Sequence, residues 1–215
     1  GKSTLMKVLS GAHAADAGEC RFDGSPYAPR GPVDALEQGV AMIYQELNLA
    51  PELTVAQNVL LGREPRGALG WVRADEVRER VTGALAALGA DELQPETLVS
   101  ELGPGQRQLV EIARALVEDA RLIVLDEPTS SLSQEDTRRL FEVVKRLTRE
   151  GVSVIYISHF LEEVQEIADR FTVLRDGETV GAGVVSETPW KSSWRSWQVA
   201  AWKSSSPRCR TSRGR

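Results

Sequence analysis

The chain has little sulfur and little imidazole. Its 215 residues include two cysteines, Cys20 and Cys209, and two histidines, His13 and His159. Cysteines near opposite ends form neither a disulfide framework nor a metal-ligand spacing, which points to a reducing compartment such as the cytoplasm. Two histidines so far apart leave no histidine-rich metal centre to expect. No apolar run approaches the ~20 residues that span a bilayer, and no signal-peptide pattern is visible. Aromatic residues are scarce at 6%, yet four of the five tryptophans crowd into the last 26 residues.

That crowding marks a break in composition. The net charge of −5 conceals a division, because residues from Trp190 onward include seven Lys or Arg and no acid. Everything before Trp190 is therefore strongly acidic, and a boundary is expected near Pro189. A basic, aromatic tail at 190–215 has the chemistry to bind nucleic acid or a membrane surface. It shows no sustained apolar periodicity, so disorder is the expectation. Residues 1–189 have ordinary globular character; the whole chain is 41% hydrophobic and 27% charged, and one large domain with a sizeable core fits its length.

The opening "GKSTLMKVLSG" reads as a helix, with Leu5, Val8 and Leu9 on one face and Gly11 ending it. "ECRFDGSPY" reads as strand and turn, and "GVAMIYQE" as a buried strand leading into a polar loop. Ala74 to Leu88 and the stretch from Gly105 are amphipathic helices, the second with Leu109, Ile112, Ala113 and Leu116 as its stripe. "RLIVLDEP" and "VSVIYISH" are continuous apolar runs, as in parallel strands buried on both faces. Between them lies a helix that Ser133 and Asp136 can cap and Gly151 can end. "FTVLRDGETVG" reads as two strands turning at Asp176-Gly177. The alternation predicts an α/β fold with a mainly parallel core sheet.

Several stretches carry chemistry. Gly1-Lys2-Ser3-Thr4 closes the P-loop pattern G-x-x-x-x-G-K-[ST]. In that setting the helix N-terminus attracts phosphate, Lys2 neutralises the β- and γ-phosphates, and the Ser3 hydroxyl holds Mg²⁺. Taken alone the tetrapeptide is weak, and Lys2 reads equally well as a solvated lysine. "LIVLDEPTSSL" places Asp126 and Glu127 at the end of a buried strand. Adjacent strand residues point to opposite sides, so the two do different work. In a nucleotide site Asp126 would face the metal and Glu127 the attacking water. "LGPGQRQLVEIARAL" is a glycine-rich turn entering a helix, which is either an anion site or an ordinary junction. His159 and Gln45 are ambiguous by themselves.

The order of these pieces is specific. GKST, a Gln after a strand, L-x-x-G-Q before a helix, LDEPTSSL and a strand ending in His together resemble the ATPase domain of ABC proteins over roughly residues 1–187. The resemblance implies a P-loop NTPase of the ABC type, using ATP and Mg²⁺, with a small helical subdomain at about 50–120. It implies that Gly1, Lys2, Ser3 and Thr4 bind phosphates and, through Ser3, the metal. Gln45 senses metal and attacking water, Asp126 supports the metal, Glu127 is the general base, and His159 contacts the γ-phosphate. Gly103, Gly105 and Gln106 belong to the signature turn, which closes on ATP held by a second such domain, and Ser130 to Ser133 form the loop coupling the two sites.

"YQELNLAPELTVAQNVLLGREP", "QLVEIARAL" and "VLRDGETVG" further resemble the ATPases of bacterial monosaccharide importers, of which this would be the first of two domains. The resemblance implies a peripheral protein on the cytoplasmic face of the inner membrane, docked on permease subunits and served indirectly by a periplasmic sugar-binding protein. The 56 residues between Gln45 and Leu102 leave no room for the coiled-coil insertion of DNA-repair relatives. Nucleic acid is therefore not an expected partner, although a soluble clamp in translation or repair and an inert remnant are the alternatives.

Three departures shape the expectation. The P-loop is represented only by its last residues. Since a hydrogen bond to a charged group contributes about 1.5–3 kcal/mol, the chain as written is expected to bind ATP poorly. The signature reads Leu102-Gly103-Pro104-Gly105-Gln106 where the family has Leu-Ser-x-Gly-Gln, so one site of the pair is expected to be slow. Finally, read from the last base of the Pro189 codon, "WKSSWRSW" can encode Met-Glu-Glu-Leu-Val-Ala-Leu-Met. This is the acidic, leucine-containing type of sequence the family carries there, so a shifted frame is expected near Pro189.

Overall fold

The computed structural model describes residues 2–67, 71–175, 177–188 and 198–203. In chain order the helices are α1 (Lys2–Leu9), α2 (Pro32–Glu37), α3 (Val55–Val59), α4 (Ala74–Leu88), α5 (Pro104–Val117), α6 (Gln134–Arg149) and α7 (Leu161–Ile167). The strands are β1 (Arg21–Phe22), β2 (Ser25–Pro26), β3 (Val40–Ile43), β4 (Leu122–Asp126), β5 (Ser153–Ser158), β6 (Arg170–Arg175), β7 (Glu178–Val184) and β8 (Gln198–Lys203). The first two form a small antiparallel hairpin through Asp23 and Gly24, both at positive φ, the twist that two-residue hairpin turns favour. The other six form one sheet in the order β3-β4-β5-β8-β6-β7.

β3, β4 and β5 pair in parallel, Met42 beside Val124 and Val124 beside Ile155. Period-two alternation sends their side chains to two cores. Ile123, Leu125, Val154 and Tyr156 face a large cluster built with α3 to α6, while Val124 and Ile157 face Met6 of α1. Both faces are covered, which is why these strands read as unbroken apolar runs. Between Val55 and Val117 lie α3, α4 and α5, and their buried stripes, Leu85 and Leu88 against Leu109 and Ile112 among them, join that large cluster.

Local chemistry sets the helix ends. Thr54 and Gln57 make a reciprocal capping box at α3. At α6 the Ser133 hydroxyl accepts the Asp136 N–H at 3.1 Å. The reciprocal half of the expected capping box is replaced, since the Asp136 carboxylate accepts from the Ser133 hydroxyl itself at 2.7 Å. Gly89 closes α4 with left-handed backbone, its Cα so close to the Arg146 guanidinium that a Cβ would stand 2.3 Å from it.

The tail needs a correction. No ordered element was expected beyond Pro189, yet Gln198–Lys203 is a strand, antiparallel to both neighbours, between β5 and β6. Those two strands run in the same direction with room for one strand between them, and their facing N–H and C=O groups require a partner. Ala200 and Ala201 are both buried, one toward the α1 core and one toward Leu161 and Val164 of α7, so small side chains fit the slot on both faces. The rest of the basic tail and the turn residue Asp176 lie outside the described residues.

Candidate active site

Parallel pairing of β4 with β5 brings two of the expected residues together. Asp126 stands beside Ile157 in the register, so both strands leave the sheet at one edge. Glu127, the first residue beyond β4, donates its N–H to the Ile157 carbonyl at 3.0 Å and takes up a left-handed φ of 47°. For a residue with a Cβ this conformation is strained and requires support from its surroundings. It turns the carboxylate toward β5, where Glu127 Oε2 lies 3.3 Å from His159 Nδ1. The imidazole rests on the Phe160 ring, centroids 4.0 Å apart. Asp126 is half-buried at the strand end.

Two more expected elements reach the same edge. β3 ends at Ile43 beside Leu125, so the exposed Gln45 follows the sheet out on the side of Asp126. Helix α1 runs antiparallel to β4, with Met6 packed on Val124 and Leu9 on Leu122. Its first turn, with Thr4 exposed, therefore opens at the C-terminal edge of the parallel strands. Gly1 and the side chains of Lys2 and Ser3 lie outside the described residues.

The signature turn is placed differently. Gly103 caps α5 in extended backbone, and Gln106 folds back to accept the Gly103 N–H at 3.1 Å. Gly105 lies so close to the first turn of α6 that a Cβ there would stand 2.4 Å from Asp136 Oδ1 and 2.9 Å from Asp136 Cβ. The close approach of this turn is to Asp136.

Sequence reasoning missed a half-buried hub beside the site. The Glu163 carboxylate accepts the Thr129 hydroxyl on Oε1 at 2.7 Å, and on Oε2 the Tyr156 phenol at 3.0 Å and the Ser158 hydroxyl at 2.5 Å. Burial, followed by the charge of Glu163, pushes the Tyr156 phenol far above its ordinary range. The available signal was an acid one helical turn after His159, at the start of α7. A second missed set fixes the stretch after Gln45. Glu111 accepts the Asn48 N–H at 2.8 Å, and Arg114 donates to the Asn58 carbonyl at 3.0 Å. Asn58, wholly buried, accepts the Ala50 N–H and donates to the carbonyls of Ala50, Leu53 and Thr54.

Known proteins with these features are numerous. The family model described as ABC transporter matches residues 1–130. A protein of Ralstonia nicotianae named for ribose, galactose and methyl galactoside import ATP binding is 46% identical over 187 residues, 87% of this chain. The ribose import ATP-binding protein RbsA 1 of Rubrobacter xylanophilus is 49% identical over 181 residues, 84% of this chain. In both cases the match spans 36% of the relative, so the chain corresponds to little more than a third of their length. Among solved structures, the ADP conformation of an ATP-binding cassette of an ABC transporter superposes with a TM-score of 0.75. It is 28% identical, with 86% of this chain and 76% of that one covered. A cbiO1 structure from Clostridium perfringens, part of an ABC transporter complex, gives 0.73 at 27% identity over 87% and 74% of the two chains.

Proposed function

The chain belongs to the ABC transporter family, and from that premise we propose that it is an ATP-hydrolysing subunit powering import of a monosaccharide. The observation that carries the proposal is the pairing of Glu127 with His159, 3.3 Å apart at the ends of adjacent parallel strands, with Asp126 beside them. A carboxylate aimed by strained backbone and an imidazole is equipped to take a proton from an attacking water. In this reading His159 donates to a γ-phosphate oxygen, and the amides opening α1 meet the phosphate chain.

Asp126 and Gln45 at this edge, with the Ser3 hydroxyl that the family resemblance assigns to the metal, fit a magnesium ion in their donor chemistry. Asp126, the Ser3 hydroxyl and the Gln45 amide all offer oxygen, the donor type a small hard cation takes. When bound, Mg²⁺ neutralises charge on the β- and γ-phosphate oxygens. Lys2 adds a fixed positive charge at the phosphates, and Glu127 stays free of the metal, available as base.

The partners follow from the same reading. The signature turn at Gly103 to Gln106, exposed at Gly103 and Pro104, closes on ATP held by a second ATPase domain, and the stretch following Gln45 docks on a permease supplied by a periplasmic binding protein. No helix among the described residues is long and apolar enough to cross a membrane, in keeping with a peripheral subunit on the cytoplasmic face. The names of the relatives direct the first uptake assays to ribose and galactose.

The decisive experiment measures Mg-ATP hydrolysis by the gene product beside its Glu127→Gln variant. Loss of the base is expected to lower kcat by about 10²–10⁴-fold while nucleotide binding persists. Equal turnover in the two proteins would remove Glu127 from the chemistry. A strain lacking the gene should lose uptake of its sugar, and undiminished uptake of every monosaccharide tried would rule out the transport role.

A further inference from the structure

Two segments meet at Glu163, and each leads to one residue of the proposed hydrolytic pair. Thr129 lies two positions after Glu127, in the loop that β4 delivers. Ser158 immediately precedes His159 at the end of β5, and its hydroxyl also accepts the Phe160 N–H at 2.9 Å. Tyr156 stands two residues further back on the same strand, 1% exposed and edge-on to Phe141 of the main core. The one carboxylate thus accepts three hydroxyl donors from both sides of the Glu127–His159 contact, using both of its oxygens.

This arrangement has a mechanical consequence. Glu127 occupies left-handed backbone that persists only under outside support. One support is its own N–H bonded to Ile157. Another is the tether of Thr129, which holds the chain just after the strained residue to α7. Charge-assisted hydrogen bonds of this kind are about twice as strong as neutral ones, and with Tyr156 and Ser158 buried, water cannot readily replace the acceptor.

We propose that Glu163 is a positioning residue for hydrolysis: its carboxylate locks the loop carrying Glu127 to the strand end carrying His159, and so sets the separation of the pair. The inference rests on the hydrolytic roles proposed above, but the geometry it concerns can be read without nucleotide. Glu163 itself is assigned no contact with substrate.

The test exploits the two histidines. Imidazole ¹H–¹⁵N spectra report His159 directly, with the exposed His13 as internal reference. Glu163→Ala is expected to move the His159 signals and leave those of His13 in place. Turnover should fall on the order of a hundredfold with KM for ATP little changed, the effect of misplacing a reactive group by about 1 Å. Thr129→Val, which deletes one tether, should act in the same direction, whereas Thr129→Ser keeps the hydroxyl and should match wild type. In a Glu127→Gln background Glu163→Ala should add little further loss, because both changes act on one contact.

His159 signals unmoved in both Glu163→Ala and Thr129→Val would overturn the proposal. So would full additivity with Glu127→Gln. Should Glu163→Ala fail to fold, Thr129→Val against Thr129→Ser decides alone. Absence of ATP hydrolysis by the unaltered protein would instead bring down the functional reading, while the His159 response would still settle whether Glu163 positions it.

Discussion

At the ends of β4 and β5, Glu127 is held by a backbone bond to Ile157, and the residues around it by three hydroxyl bonds to Glu163. The first turn of α5 is held by Gln106 folded onto its own backbone and by Gly105 lying against Asp136. The first region is cross-linked through a half-buried carboxylate with two buried donors, and the second is exposed at Gly103 and Pro104 and rests on close packing at one glycine. The difference matches what each region is proposed to do. Proton transfer needs a fixed separation between base and water, so its groups are preorganised. A surface that closes on a second domain gains order from that partner, so it needs only a helix end kept in place.

The largest effect on stability should come from disturbing the packed glycine. Gly105→Ala places a Cβ within 3 Å of Asp136 and forces the first turn of α6 to give. Overpacking of this kind costs about 1–3 kcal/mol, more than the roughly 1 kcal/mol that alanine gains over glycine in a helix. Chemical denaturation should show the variant less stable than wild type. Equal or greater stability would mean the α5 turn is not braced on α6, and the contrast with the Glu163 hub would lose one side.

The hub has its own signature in alkali. Folding raises the Tyr156 phenol above the ordinary tyrosine range, so the native state keeps a proton the unfolded state gives up. The sign follows: the contribution is intact below pH 10 and is lost as the pH rises beyond it, by up to about 1.4 kcal/mol per pH unit. Tyr27, whose phenol donates to the Leu9 carbonyl, is pushed up to about 12 and adds to the slope in the same direction. Denaturation curves at pH 8, 10 and 11 should therefore fall less steeply for Tyr156→Phe than for wild type. Identical slopes would show that the phenol is not locked into the hub.

The smallest effect is a gain. Gly103 sits in extended backbone with only Gln106 Oε1 near an added Cβ, at 3.9 Å. Gly103→Ser therefore fits without strain and places a hydroxyl at a helix N-cap, which should stabilise the protein by a few tenths of a kcal/mol. The same change restores the family's signature residue, and ATP turnover is expected to rise. Stability that increases while turnover stays level would separate the capping role from the signature role.

Much of this was legible beforehand. The apolar runs "LIVL" and "VIYI" announced buried parallel strands, and the bounds expected for α4 are those observed. The carboxylates at β4 and the histidine at β5 lay where their strands end. Glu163 was harder to see, because its partners come from 5, 7 and 34 positions away and meet it only through the β4–β5 register and the docking of α7. The strand at Gln198–Lys203 was invisible for a related reason. Nothing in "QVAAWK" marks it as a core strand apart from the empty place between two strands that appears once β5 and β6 are laid down.

By itself the sequence determined the alternation of strands and helices, the burial of the parallel strands and the identity of the groups proposed to meet nucleotide. These follow from short-range periodicity and from the chemistry of side chains. Only the tertiary structure decided that Glu127 faces His159, that Glu163 ties their two segments together and that Gly105 must remain bare against Asp136. Such contacts join segments far apart in the chain. Strand register and helix packing set them at the level of ångströms, and local propensity carries no information about either.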